Sequence, residues 1–381
     1  MTYRTSPPAP PAPSTDTPAM LVARMSARTY RCEADVADGL EELARAELLR
    51  RFGGAVRAER TRPTGVVAFD YIGDLQALLS LKLPLSIALV QHYAVPRPRG
   101  LLGDQHLRTL LAQIAAVRAL APPDAYATFY LSAAGSESSV MARIKDELAQ
   151  RTSLTPVPAT AHEGDLLLRL RRSHRDPDGW ESLVRLGPRP LSARPWRVCN
   201  REGSLNATVA RAMVVLAAPT TEERALNLGC GSGTLLIEHA DYLPANVIAG
   251  CDTDPTALDC SHANAFASGY SDRVDLYEWD ARTLPIPDAS VGVVYADLPF
   301  GHLMGSHVDN LTLYPAMLRE AARVAEPGAR FVLITHEIRL LDAILRDSPD
   351  WATERILRVS LGGLHPRIFV LRRTEDAGNE G

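Results

Sequence analysis

The chain has 381 residues, with 41 Lys and Arg against 45 Asp and Glu and a formal net charge of −4. That is too long for one average domain, and 46% apolar with 23% charged residues is a globular composition, which excludes a wholly disordered or collagen-like chain. No stretch approaches the ~18 consecutive apolar residues of a membrane span, and Arg24 breaks "PAMLVARM" too early for a signal peptide, so a cytoplasmic protein with no membrane partner is expected.

The opening "SPPAPPAPSTDTPA" is rich in Pro, Ala, Ser and Thr and has no apolar period. It cannot bury enough surface to order itself, so residues 1–28 are expected to be a disordered tail, with Met20 and Met25 as alternative starts. "TYRCEADV" alternates like a strand. "DGLEELARAELLRRFGG" reads as an amphipathic helix carrying Leu40, Leu43, Leu48 and Leu49, stopped by Gly53. "GVVAFDYIG" predicts a strand, "DLQALLSLKLPLSI" a helix and "ALVQHYAV" a strand, with room for one more strand near 57–60. This order predicts a ferredoxin-like α+β unit over 29–100. A second unit over 101–195 follows: a helix in "LLGDQHLRTLLAQIAAVRAL", a strand in "YATFYLSAA", and a helix in "SESSVMARIKDELAQRT" capped by Ser136 or Ser138. "GDLLLRLRRS" and "GWESLVRLG" then pair as strands across the turn "HRDPDG".

From about 200 onward, short apolar strands ("ALNLG", "VIAGC", "VDLYE", "VGVVYA", "FVLIT") alternate with helices. The pattern predicts an α/β doubly wound parallel sheet over 196–381. "RILRVSL" and "PRIFVLRR" close it as two late strands, an antiparallel ending that separates methyltransferases from dehydrogenases. Charge divides along the same line. Residues 29–197 hold 23 Lys and Arg against 19 Asp and Glu, whereas residues 198–381 hold 15 against 25. A mildly basic front half suits a phosphate grip, and Arg169, Arg171, Arg172 and Arg175 form its densest cluster; solvated surface charge accounts for the same counts. The five cysteines (Cys32, Cys199, Cys230, Cys251 and Cys260) form no Cys-x-x-Cys pair, so buried free thiols and no metal site are expected.

Three strand ends carry chemistry. In "NLGCGSGTLLIE", Gly229, Gly231 and Gly233 lie between a strand and a helix, where glycines admit a ligand to the backbone and the helix start offers free N–H groups. Alone, this pattern serves nicotinamide cofactors and S-adenosylmethionine alike. "GCDTDP" adds Asp252, placed for both ribose hydroxyls, and "EWDARTLP" adds Asp280 and Ala281, placed for the adenine. A dehydrogenase has no use for that third acid. At the fourth strand end stands "YADLPFG". The Asp297 carboxylate and the Leu298 carbonyl can each accept one hydrogen of an exocyclic amino group, freeing its lone pair for a methyl group. Pro299 stiffens the turn and Phe300 offers a stacking face.

With these residues the back half resembles the class I S-adenosylmethionine-dependent amino methyltransferases. Its DLPFG version resembles the THUMP-domain RNA methyltransferases that make N2-methylguanosine, of the tRNA guanine-6 type. "GSESSVMARIKDELA" and "GWESLVRLGPRPLSARPWRV" are similar to the THUMP region and its exit. "GSLNATVARAMVVLA" is similar to the segment that closes over the cofactor, and "GLHPRIFVLRR" to the last hairpin. The resemblance implies S-adenosylmethionine as cofactor, bound by Asn227, Gly229, Gly231, Gly233 and Thr234, by Asp252, Asp280 and Ala281, and by Ser204, Leu205 and Asn206. It implies Asp297, Leu298, Pro299 and Phe300 as the catalytic turn, and tRNA, gripped near its acceptor end by Arg169, Arg171, Arg172 and His302, as partner of a monomer or weak dimer. Asn227 stands where the family has an acid, Leu298 where it has Pro, and His302 where it has Lys or Arg. Two alternatives share the motif: an rRNA guanine-N2 or DNA adenine-N6 methyltransferase, and a non-catalytic RNA-binding protein on a degenerate fold.

Overall fold

The computed structural model describes residues 28–59, 65–161, 163–244, 246–299, 307–360 and 362–374. The expected tail, Phe300 and His302 lie outside the described residues. The front half consists of β1 (Thr29–Asp35), α1 (Glu41–Phe52), β2 (Val56–Ala58), β3 (Val66–Ile72), α2 (Leu75–Leu78), β4 (Ser86–Tyr93), α3 (Asp104–Arg118), β5 (Thr128–Ala133), α4 (Ser139–Thr152), β6 (Thr155–Pro156), β7 (Leu166–Arg172) and β8 (Trp180–Arg185). Its eight strands form one sheet in the order β2-β3-β1-β4-β8-β7-β5-β6. The two front segments therefore share a sheet, joined where β4 runs antiparallel to β8 from Ala88↔Arg185 to Tyr93↔Trp180. Ser138 caps α4, its side chain accepting the N–H of Met141.

The apolar run after Asp74 forms only the four-residue helix Leu75–Leu78, shorter than its leucine content predicts. The buried Glu47 carboxylate accepts the backbone N–H groups of Lys82 (3.1 Å) and Leu83 (2.9 Å), which fixes a non-helical segment. Pro84 then removes a helix donor, and the chain enters β4.

The back half follows as α5 (Ala207–Ala217), β9 (Ala225–Leu228), α6 (Thr234–Tyr242), β10 (Ile248–Asp252), α7 (Pro255–Ser268), β11 (Val274–Glu278), β12 (Val291–Asp297), α8 (His307–Val324), β13 (Ala325–Thr335), α9 (Ile338–Arg346), β14 (Trp351–Arg358) and β15 (Arg367–Arg373). The sheet order is β11-β10-β9-β12-β13-β15-β14. Strands β9 to β13 are parallel neighbours, and β15 inserts antiparallel between β13 and β14. This is the doubly wound sheet with an antiparallel ending that the sequence predicts. The central strands are buried on both faces, which is why β12 reads as an unbroken apolar run up to Asp297. The carboxyl ends of β9, β10 and β12 open on one edge, where ligands bind in such sheets.

A buried ionic network joins the halves. Glu238 on α6 accepts from Arg194 Nε (2.7 Å) and Arg211 Nε (2.8 Å), and all three side chains are at most 5% exposed. Arg194 also donates to the Lys82 carbonyl (2.7 Å), and Lys82 pairs with Asp241 (3.2 Å), which also meets Arg211. The segment between the halves is tied down a second time. Cys199 is joined to Cys260 on α7, with Cα atoms 5.4 Å apart, in place of the two free thiols expected. The Asn264 amide brings them together, its Oδ1 accepting the N–H of Val198 and Cys199 and its Nδ2 donating to the Cys199 carbonyl, each at 2.9 Å. Removing one member of a buried charge network strands the others. Glu238→Ala is therefore expected to lower unfolding free energy by about 3–5 kcal/mol in urea titration. A loss below about 1 kcal/mol would show that Arg194 and Arg211 are not buried as a unit with it.

Candidate cofactor and catalytic site

The strand-to-helix turn after β9 requires glycine at alternate positions. Gly229 and Gly231 have φ of 61° and 55°, and a Cβ at either would meet nothing within 4 Å, so these backbones face open space. Gly233 has φ 78°, and a Cβ there would fall 2.3 Å from Ser261 Oγ on α7. The third glycine thus lets the start of α6 approach α7, while the first two leave room for a ligand. That room is a cavity of about 300 Å³ at the carboxyl edge of the sheet.

On its β10 wall, Asp252 accepts the Gly231 N–H through Oδ2 (2.9 Å) and the Asp254 N–H through Oδ1 (3.0 Å). Each oxygen keeps a lone pair for a hydroxyl donor. Asp280, beyond β11, accepts from the Arg282 guanidinium through both oxygens, and that hydrogen bonding holds its carboxyl below the usual range. Ala281 and Trp279 flank it, and Trp279 stacks on Tyr277 with ring centres 4.0 Å apart. At the floor, Asn227 is buried; its Nδ2 donates to the carbonyls of Leu228 and Tyr295, both at 3.3 Å. Its Oδ1 has no partner. Ser204 and Leu205 close the opposite side.

The β12 end supplies the fourth wall. The Asp297 side chain is partly exposed to the cavity, but Oδ1 is sealed and unpartnered. Burial pushes its carboxyl up to about 7. The Leu298 N–H continues the ladder to the Ile334 carbonyl (3.0 Å). The Pro299 carbonyl accepts from Asn310 Nδ2 (3.0 Å) and Tyr314 Oη (2.8 Å), and Tyr314 Oη also meets Thr335 Oγ1 (2.8 Å). The turn is thereby pinned to α8 and β13 immediately after its reactive positions.

Of the residues singled out from sequence, Ser204, Leu205, Asn227, Gly229, Gly231 and Thr234 line this cavity, as do Asp252, Asp280, Ala281, Asp297, Leu298 and Pro299. Gly233 and Asn206 stand behind it as helix caps, Asn206 accepting the Thr208 N–H at 2.9 Å. Sequence reasoning missed Arg201, Trp279 and Arg282 on the walls, Leu313 and Met317 beneath the β12 turn, and the Asn310–Tyr314 pair. The i, i+4 spacing of Asn310 and Tyr314 on one helix face was the available signal. In the front half, Arg171 is committed to Glu33 (2.5 Å) and Glu181 (2.8 Å). Arg169 lies 3.9 Å from Asp35 and is 41% exposed, and Arg172 is exposed above the Trp180 ring. Arg175 is exposed but paired with Glu59, so the outward charge of the cluster comes mainly from Arg169 and Arg172.

These walls fit S-adenosylmethionine: a glycine cradle without Cβ atoms, an acid with free lone pairs for ribose, and an orphaned amide oxygen for an ammonium. Asp252→Ala is expected to weaken S-adenosylhomocysteine binding by roughly 1.5–3 kcal/mol in calorimetry, the size of hydrogen bonds to a charged group. Equal affinity would remove Asp252 from the ribose site.

Comparison with known proteins agrees with this geometry. Residues 194–367 match the RMKL-like methyltransferase domain. The mouse tRNA (guanine(6)-N(2))-methyltransferase THUMP3 is 32% identical over 188 residues, 46% of this chain and 37% of that protein. A Thermus thermophilus tRNA (guanine(6)-N2)-methyltransferase is 35% identical over 191 residues, 50% of this chain and 56% of that protein. The chain thus matches little more than a third to a half of the length of these curated relatives. The crystal structure of TrmN from Thermus thermophilus superposes with a TM-score of 0.70 at 27% identity, covering 90% of this chain and 99% of that one. Residues 194–367 thus carry the match to the RMKL-like methyltransferase domain, which implies S-adenosylmethionine as the cofactor of this fold.

Proposed function

We propose that this chain methylates the exocyclic N2 amino group of a guanine in tRNA, in the acceptor stem. One observation carries the reading: the Asp297–Pro299 turn faces the same cavity as Asp252 and Asp280, with Asp297 Oδ1 buried and unpartnered. An amino group on a base is a poor nucleophile because its lone pair is delocalised into the ring. The Asp297 carboxylate and the Leu298 carbonyl each accept one amino hydrogen and hold the nitrogen in line with the methyl group. S-adenosylmethionine, when bound, would supply that methyl from its sulfonium, the C–N bond forming as the C–S bond breaks and a neutral thioether leaving. Asp297, titrating near 7, is poised to take the proton that N2 then releases. The Asn310 and Tyr314 bonds to the Pro299 carbonyl keep the turn from swinging away.

The tRNA substrate is supported by the activities of the curated relatives and by the basic balance of residues 29–197. In this reading that half, a ferredoxin-like unit over 29–100 and a THUMP-like unit over 101–195, grips phosphates through Arg169 and Arg172. Transfer of tritiated methyl to total tRNA and other small RNA, followed by nucleoside analysis, tests it. N2-methylguanosine from tRNA is the expected product. Label in N6-methyladenosine, or none in RNA, would sink the assignment.

Two further outcomes follow from the turn. Asp297→Asn should lower kcat by roughly 10²–10³-fold, the loss typical of a transition-state acceptor or donor, while S-adenosylhomocysteine affinity stays within a few-fold. The sign of the pH effect is fixed by the raised pKa: the carboxylate is needed and is protonated below it. Wild-type kcat/KM is therefore expected to rise with pH through about 7, and the residual activity of Asp297→Asn to lack that limb. A wild-type profile flat between about pH 6 and 8 would remove Asp297 as the titrating group.

A further inference from the structure

Arg197 is a cation without an anion. Its Nη2 donates to the Leu205 carbonyl (2.8 Å) and to Thr234 Oγ1 (2.9 Å), and its Nη1 to Asn200 Oδ1 (3.4 Å). The guanidinium also lies 5.4 Å from the centre of the Trp196 ring. None of these partners carries charge. The nearest carboxylate in its field, Glu238, is already shared between Arg194 and Arg211. Among the described residues no acid pairs with Arg197. Burial pulls its guanidinium below the usual arginine value, and Arg194 adds to that while Glu238 opposes it. A half-buried charge left this way costs free energy unless something anionic meets it.

Both of its closest partners belong to the cavity. Leu205 and Thr234 line it, and Thr234 opens α6, where backbone N–H groups and the helix dipole already favour negative charge. Because Thr234 Oγ1 accepts from Arg197, its own proton points elsewhere, free for an acceptor in the cavity or for Ser232 Oγ at 3.4 Å. An independent misfit faces the same cavity: Asn227, 1% exposed, has an Oδ1 with no donor. A surplus cation behind one wall and an orphaned acceptor on the floor are the complement of a zwitterion.

We propose that Arg197 is the counter-charge for the amino-acid carboxylate of S-adenosylmethionine, acting through Thr234 and the Leu205 wall, while Asn227 Oδ1 receives the ammonium. Arg197 is then a positioning residue for the cofactor, and this inference is independent of which RNA, if any, is methylated. It also gives the segment between the halves a purpose, since that segment carries both Arg197 and Ser204.

Calorimetry with two ligands tests it: S-adenosylhomocysteine, which has the amino-acid end, and 5′-methylthioadenosine, which lacks it. Arg197→Gln should weaken S-adenosylhomocysteine binding roughly 10- to 100-fold, the range of a charge-assisted contact, and leave methylthioadenosine affinity within about twofold. Arg197→Lys should recover part of the loss, because the charge returns without the planar fork. Equal weakening of both ligands, or of neither, would overturn the assignment. The wild-type protein gives a check that needs no variant to fold: a decarboxylated analogue of S-adenosylhomocysteine should bind at least about tenfold more weakly than the parent. Equal binding of the two would overturn it as well.

Discussion

The burial of the Glu238 carboxylate between Arg194 and Arg211 is the contact on which the site's geometry depends. Those residues come from three places: the segment between the halves, α5 and α6. Through the Lys82 carbonyl and the Lys82–Asp241 pair the network also reaches the front sheet. Because α6 begins at the glycine turn, whatever fixes Glu238 also fixes the backbone that cradles the cofactor. The same ions tie the front sheet to the back half that carries the candidate site. A buried charge network of this kind is weak evidence for net stability, but each partner left behind by the removal of another would be unsatisfied.

The chemistry was legible in the sequence where its constraints are local. Gly229, Gly231 and Gly233 must be glycine because their φ values are positive, and that requirement is met within one turn. Asp252 and Asp297 each end a buried apolar run, so position in the strand reveals position at the sheet edge, and Asp280 follows the edge strand β11 by two residues. The doubly wound order was legible for the same reason. What stayed hidden are contacts between distant positions. Arg197 meets Thr234 across 37 residues and Tyr314 meets Pro299 across 15, and neither arginine nor tyrosine marks its role by its neighbours in the chain. The Cys199–Cys260 pair spans 61 residues and depends on how Asn264 seats the intervening segment. The helix expected after Asp74 failed for a similar reason: its leucines favour a helix, but Glu47, far upstream, claims the N–H groups of Lys82 and Leu83. Arg171 reads as one of a basic cluster, yet Glu33 and Glu181 neutralise it from other strands.

The three acids of the site show how one edge serves two tasks. Asp252 accepts hydrogen bonds from backbone N–H groups, and Asp280 accepts them from Arg282, which holds the Asp280 carboxyl below its usual range. Both keep lone pairs that would suit neutral donors such as ribose hydroxyls and an adenine amino group. Asp297 has no such donor at Oδ1, and burial alone raises its pKa toward neutrality. The difference lies in what surrounds each carboxylate rather than in the residue type. An acid that the protein leaves unsatisfied gains most from a ligand that brings its own N–H groups, and an exocyclic amino group brings two. Binding such a group would stabilise the Asp297 carboxylate, lowering the pKa that burial has raised. In the proposed reaction, the protonation state suited to holding the amino nitrogen would therefore be favoured by the arrival of the nitrogen itself.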